Sequence, residues 1–262
     1  MIRSLGSEDH SIRSLLLTAP EQNLVMLASL PQLGADGDLV RFWGQFGAEH
    51  QPIAILLRYG NLWYVHAEPG ADLPALAGII SRTAQERAVL NGPPDLIATM
   101  AEHVAEFAVE HRLPSRLRVL RQPVTLPERG GLPVVRQATL DDVPDLAAFY
   151  ATAPADLQRG ADSLRRSVTG GRRTFLALRG RAVTACALTT AELPDLALAG
   201  GLHGEGRMWD ADLTAALGAL CAALQAEGKA VCTVTRTLWV DHICDALGFA
   251  DLAPWLILHL KR

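Results

Sequence analysis

His203 and Glu205 stand two residues apart in Gly200-Gly201-Leu202-His203-Gly204-Glu205-Gly206-Arg207-Met208-Trp209-Asp210, and both are side-chain types that serve as general bases. His242 is a more distant candidate. Their presence alone proves little, since exposed His and Glu are common. The Gly200-Gly201 pair, at the end of an apolar run over 196–202, reads either as a strand bulge where another backbone comes close or as a flexible strand end. The helix that follows would attract an anion through its dipole and its free N–H groups. Asp210, however, can cap that helix itself, with Asp212 and Glu205 adding negative charge. Cys244 is a thiol with an ordinary pKa near 8.5 and could donate a proton. In a helix it reads more readily as a small buried core residue.

Other constellations carry less. Arg159, Arg165, Arg166, Arg172, Arg173, Arg179 and Arg181 form either an anion-binding strip or a solvated face, and no aromatic residues alternate with them as a single-strand nucleic-acid groove requires. Glu102, His103, Glu106, Glu110 and His111 are expected on one helix, with His103 and Glu106 on a common face, but no ligands from elsewhere complete a metal site. Walker, HExxH, GxSxG and dinucleotide fingerprints do not occur. No metal is expected.

The chain has 262 residues, which favours two domains over one. Apolar residues make up 49%, yet no run approaches the ~18 to 20 residues that span a bilayer. The start, Met1-Ile2-Arg3-Ser4-Leu5-Gly6-Ser7-Glu8-Asp9, lacks the apolar stretch of a signal peptide. Cys186, Cys221, Cys232 and Cys244 contain no CxxC pair and suit reduced thiols. A cytoplasmic protein with no membrane partner is the expectation. The net charge of −4 offers no general attraction to nucleic acid. Arginine far outnumbers lysine, which occurs only at Lys229 and Lys261, a bias that fits a GC-rich bacterial genome.

The elements that must position these residues fall into two series. A connector rich in Pro and Gly at 123–133 separates an N-terminal domain, 1–122, from a C-terminal one, 134–262. The second series reads strand 134–137, helices 141–151 and 161–168, strands 174–178 and 182–190 around Arg179-Gly180-Arg181, strand 196–202, helix 211–227, strand 231–235, helix 239–247 and strand 255–260. Leu213, Leu217, Leu220 and Leu224 form one stripe, and Gly228 stands where a helix cap is expected. The first series reads strands 40–46, 53–59 and 62–66, helix 73–83, a short strand 88–90 and a long helix 94–111. The common order suggests an internal duplication.

Val134-Val135-Arg136-Gln137-Ala138-Thr139 with Asp141-Asp142, and Ile243-Cys244-Asp245-Ala246-Leu247-Gly248-Phe249, resemble the first strand and helix and the Leu-Gly-Phe ending of the Gcn5-related N-acetyltransferases (GNAT). The resemblance covers about half the chain. Ala19-Pro20-Glu21-Gln22-Asn23-Leu24 and Asn91-Gly92-Pro93-Pro94 resemble a poorly characterised domain that precedes GNAT domains in some bacterial proteins. It implies an α/β (α+β) fold with mixed sheets in two tandem GNAT-like domains. It also implies acetyl-CoA as cofactor, its pantetheine arm along Ala199, Gly200, Gly201 and Leu202, and its pyrophosphate at the next helix. The family's Arg or Gln, Gly, and Gly or Ala at that loop fall on Glu205, Met208 and Asp210, and all three depart from the pattern. A longer loop would use Gly204 and Gly206, with Arg207 as the phosphate contact. Cys244 falls where the family commonly has a tyrosine acid, and His203 or Glu205 would be the base. Two functions follow: an acetyl-CoA-dependent N-acetyltransferase acting on a small-molecule or protein amine, or a catalytically silent GNAT-like binding or regulatory module.

Overall fold

The structure, a computed structural model, describes residues 1–33, 39–126, 131, 133–154, 158–205 and 209–262. They divide into two compact units, Met1–Leu117 with Ala253–Arg262, and Arg118–Leu252.

The first unit carries β1 (Ile2–Ser4), α1 (Ile12–Leu16), α2 (Leu24–Ser29), β2 (Val40–Phe46), β3 (Pro52–Tyr59), β4 (Leu62–Ala67), α3 (Leu73–Thr83), β5 (Arg87–Gly92), α4 (Pro94–Glu102) and most of β6 (Ala108–Leu120). β1 to β4 pair antiparallel in chain order, and β4 then pairs parallel with β5. Alternation in β4 sends Trp63 and Val65 to a core with Leu76, Ala77 and Ile80 of α3 and Ile97 and Met100 of α4.

The second unit repeats this scheme with β7 (Val134–Gln137), α5 (Val143–Ala151), α6 (Ala161–Thr169), β8 (Thr174–Arg179), β9 (Ala182–Glu192), β10 (Leu196–Gly204), α7 (Trp209–Gln225), β11 (Ala230–Thr235), α8 (Leu238–Leu247) and the start of β12 (Ala250–Lys261). β7 to β10 are antiparallel neighbours in chain order and β10 is parallel to β11. The stripe Leu213, Leu217, Leu220 and Leu224 on α7 is fully buried against Ala197 and Ala199 of β10 and Ile243, Cys244 and Leu247 of α8. Each such leucine contributes about 1.5 to 3 kcal/mol by leaving water. On the other face, Leu146, Phe149 and Tyr150 of α5 cover Leu176, Cys186 and Leu188. α5 is entered through a capping box, in which Thr139 and Asp142 satisfy each other's backbone N–H groups. Arg136 holds the Asp142 carboxyl well below the usual carboxylate range. At the far end, buried Arg118 donates to the carbonyls of Asp241 and Phe249 at 3.0 and 3.1 Å and pairs with Asp245 and Asp251, fixing both ends of α8.

Two sequence expectations are corrected. The helix expected over 94–111 ends at Glu102, and a strand begins at Ala108. Between them Glu106 adopts φ 67°, a left-handed conformation that a helix cannot pass through. The segment is rich in Ala and Glu, so local preference favours helix, and strand pairing overrides it. By its place in the chain the strand at 255–260 falls with the second series, yet β12 pairs antiparallel with β5 from Leu256↔Gly92 to Lys261↔Arg87. Trp255, Leu256, Leu258 and Leu260 are buried, the last three in the first unit's core. Alternation shows which face of a strand is apolar, not which strand it will join. None of the helices among the described residues is long and apolar enough to cross a membrane.

Candidate functional site

The parallel register between β10 and β11 runs from Leu196↔Ala230 to Ala199↔Thr233 and stops there. Beyond Ala199, β10 continues in register with β9 alone, through Gly200↔Leu188 to His203↔Cys186 and Gly204↔Ala185. The two strands therefore part on the β11 side, and the β10 backbone from Gly200 onward is released from parallel pairing.

A bulge accompanies this parting. Three steps along β10, Gly200 to His203, oppose two along β9, and Gly201 sits at φ +58°. Only glycine fits there, because a Cβ would lie 2.8 Å from Leu188 Cγ and 3.0 Å from the Tyr150 hydroxyl. The ordered bulge replaces the flexible strand end that the sequence left open. One extra residue also exchanges the faces of all that follow. Ala197 and Ala199 face α7; after the bulge Leu202 packs against that same core, and His203 turns toward α5.

There the His203 ring lies 4.7 Å from that of Phe149 and 6.1 Å from that of Tyr150. Its Nε2 is 3.5 Å from Thr152 Oγ1 and 3.7 Å from Glu205 Oε1. His203 is 9% exposed; burial lowers its pKa, against which Glu205 works in the opposite sense. The imidazole is thus neutral near pH 7 and able to accept a proton, with a carboxylate beside it to stabilise the imidazolium that results. Tyr150 donates its one hydroxyl proton to the Gly201 carbonyl at 2.5 Å, and Cys186 Sγ lies 3.4 Å from the same oxygen. Burial raises its pKa well above the usual phenol value, so it remains a donor and clamps the bulge. Sequence reasoning did not find Phe149, Tyr150 or Thr152, since one β-bulge decides that α5 meets His203.

The expected site residues separate into groups. Ala199, Gly200, Gly201, Leu202, His203, Gly204 and Glu205 lie together on the parting segment, with Glu205 N bonded to Thr184 O at 2.8 Å. Gly206, Arg207 and Met208 lie outside the described residues. Asp210 is exposed in the first turn of α7, one residue inside the helix rather than at its cap, and its carbonyl accepts from Thr214 Oγ1 at 2.6 Å. Asp212, 1% exposed, spends its carboxylate on Arg179 at 2.7 and 2.9 Å and on Thr184 at 2.6 Å. Cys244 is fully buried in the α7–α8 core, where burial pushes its thiol up to about 12. That setting favours the core reading of Cys244 over the acid. His242 lies on the same helix. The arginine cluster also disperses: Arg173 pairs with Glu192 and Glu227, Arg179 with Asp212, and Arg165 with Asp162. Glu102 and His103 end a helix while Glu110 and His111 lie on β6. No group of three or more His, Cys, Asp or Glu among the described residues could hold a metal ion.

No family model and no curated protein matches this chain. Solved structures do. A tandem GNAT protein from the clavulanic acid biosynthesis pathway, described without acetyl-CoA, is 13% identical, with 100% of this chain and 98% of that one covered at a TM-score of 0.66. A Drosophila protein is 12% identical over 98% of each chain at a TM-score of 0.69. A GCN5-related N-acetyltransferase from Sphaerobacter thermophilus is 12% identical, covering 100% of this chain and 95% of that one, at a TM-score of 0.65. At such identities the likeness concerns the fold. The chain has, over its whole length, the fold of the tandem GNAT protein, and the parallel pair recurs in its two units.

Proposed function

We propose that this chain is an acetyl-CoA-dependent N-acetyltransferase whose reacting centre is the segment of β10 that parts from β11. The observation that carries this reading is the coincidence of two features on six residues, a backbone released from parallel pairing after Ala199 and a neutral, carboxylate-backed His203. Acetyl-CoA supplies, when bound, a thioester carbonyl open to an amine and a thiolate leaving group. The β10 backbone beyond the bulge, over Leu202 and Gly204, fits the extended, amide-bearing arm, which needs N–H and C=O groups not already in a ladder. The Gly201 carbonyl is taken by Tyr150. His203 removes the proton from the attacking amine nitrogen, and Glu205 stabilises the imidazolium. The nitrogen–carbon bond forms as the carbon–sulfur bond breaks, and the departing thiolate takes a proton from solvent.

The silent-module reading draws support from one observation, the acids in the first turn of α7, where a pyrophosphate would meet the helix dipole. Asp212 weighs little in this, since Arg179 and Thr184 already satisfy it. Asp210 remains exposed and repels an anion. The proposal therefore includes weak cofactor affinity. Calorimetry with acetyl-CoA and free CoA, together with thiol release over a broad amine panel, tests it. Measurable acetyl-CoA binding with amine-dependent release supports the enzyme; neither, in folded protein, leaves the silent module.

A further inference from the structure

Arg159, a member of the arginine cluster, lies beside Tyr150, the residue bonded to the Gly201 carbonyl of β10. Its guanidinium carbon lies 6.0 Å from the centre of the Tyr150 ring, and the His203 ring lies 6.1 Å from that same centre. The Arg159 Nε is buried without a hydrogen-bond partner, and among the described residues no carboxylate pairs with it. Arg173 and Arg179 show the usual outcome in this unit, each held by acids. A buried guanidinium N–H without an acceptor is costly. It is expected where an anion from outside completes it.

We propose, resting on the acetyltransferase reading, that the acceptor is an amino acid or a close amino-acid derivative, its carboxylate held by Arg159 and its amine presented to His203. Arginine's planar fork matches a carboxylate with two parallel bonds. Both groups lie about 6 Å from the centre of one tyrosine ring, within the span of an amine and a carboxylate carried by one small molecule. A single cation, with His203 neutral, suits one negative charge better than the two of a phosphate monoester.

The test uses the full chain with the twenty protein amino acids, β-alanine and 4-aminobutyrate, their carboxamides, their decarboxylated amines and aminoalkyl phosphonates. Thiol release from acetyl-CoA and calorimetric binding are read for the wild type, Arg159→Gln and Arg159→Lys. At least one acid should exceed its carboxamide by about 10- to 100-fold in kcat/KM, the range of a charge-assisted pair. Arg159→Gln should abolish that ratio, chiefly through a raised KM for the acids, and Arg159→Lys should restore part of it. Equal use of acids and carboxamides, or a preference for phosphonates, would overturn the inference and leave acetyl transfer standing. Arg159-dependent binding of acids without any acetyl transfer would do the reverse, keeping the carboxylate site and removing the transferase. If no amino acid either binds or reacts, the inference falls.

Discussion

His66-Ala67-Glu68 in the first unit and His203-Gly204-Glu205 in the second stand at the same place in the same scheme, at the end of the strand that starts the parallel pair. Parallel pairing stops early in both, at Tyr64↔Asn91 and at Ala199↔Thr233. The two His–Glu separations are 3.5 and 3.7 Å, and burial lowers both imidazole pKa values. The surroundings differ. β4 keeps an unbroken register with β3, whereas β10 is bulged against β9. His66 is tied at Nδ1 to Asn23, 3.0 Å away, which also holds the Leu16 carbonyl. His203 faces aromatic rings and one distant hydroxyl. The helix after His66 starts closed: Asp72 accepts from Ala75 N, its own N–H goes to Gln45, and Pro74 has no N–H to offer. A base and a carboxylate are therefore not sufficient to mark a site. The bulge in β10 and the buried Arg159 Nε without a hydrogen-bond partner distinguish the second unit.

The strongest structural contrast is expected at the bulge. Gly201→Ala forces a left-handed residue and a Cβ against Leu188 and Tyr150, and should lower stability by about 2 to 5 kcal/mol. Gly70→Ala in the first unit meets open space at φ +91° and should lose only about 1 to 2 kcal/mol. Denaturant midpoints compare them; equal losses would mean that the bulge is not held by packing. A smaller difference separates the helix starts. Asp212→Asn breaks charge-assisted bonds to Arg179 and should cost about 1.5 to 3 kcal/mol, against about 1 kcal/mol for the cap lost in Asp72→Ala. Thermal melting reads both.

How far the sequence disclosed these features depends on what fixes each. Element order in the second unit was legible from periodicity and punctuation, as in the leucine stripe of α7 and the glycine after it, Gly228 at φ +79°. The exit of α4 into β6 and the pairing of β12 with β5 were not, because long-range partners decide them. At the site, the glycines, His203 and Glu205 were visible as residue types. The meeting of Tyr150 with His203 was not visible, since a bulge, which has no signature beyond Gly200-Gly201, sets the face that His203 takes, and Arg159 was visible only as one of an arginine cluster.

Cys244 offers a weaker test. In Cys244→Ala, stability should drop by about 1 kcal/mol with turnover intact, and Cys244→Tyr should overpack the α7–α8 core by about 1 to 3 kcal/mol. A large loss of turnover in well-folded Cys244→Ala would return the thiol to the mechanism. The subtlest effect is on pH dependence. Since burial depresses the His203 pKa, the acid limb of kcat/KM should fall below the usual histidine value of about 6.5. Glu205 raises that pKa, so Glu205→Gln should move the limb to still lower pH; a shift upward would exclude His203 as the base.

Thiol release from acetyl-CoA, measured side by side for the wild type, His203→Ala and His66→Ala with a common amine panel, decides between the two units. Loss of about 10²-fold or more in His203→Ala, with His66→Ala at the wild-type rate, is the expected result. A comparable loss in both variants, or a loss in His66→Ala alone, would contradict the placement of the reacting centre on β10.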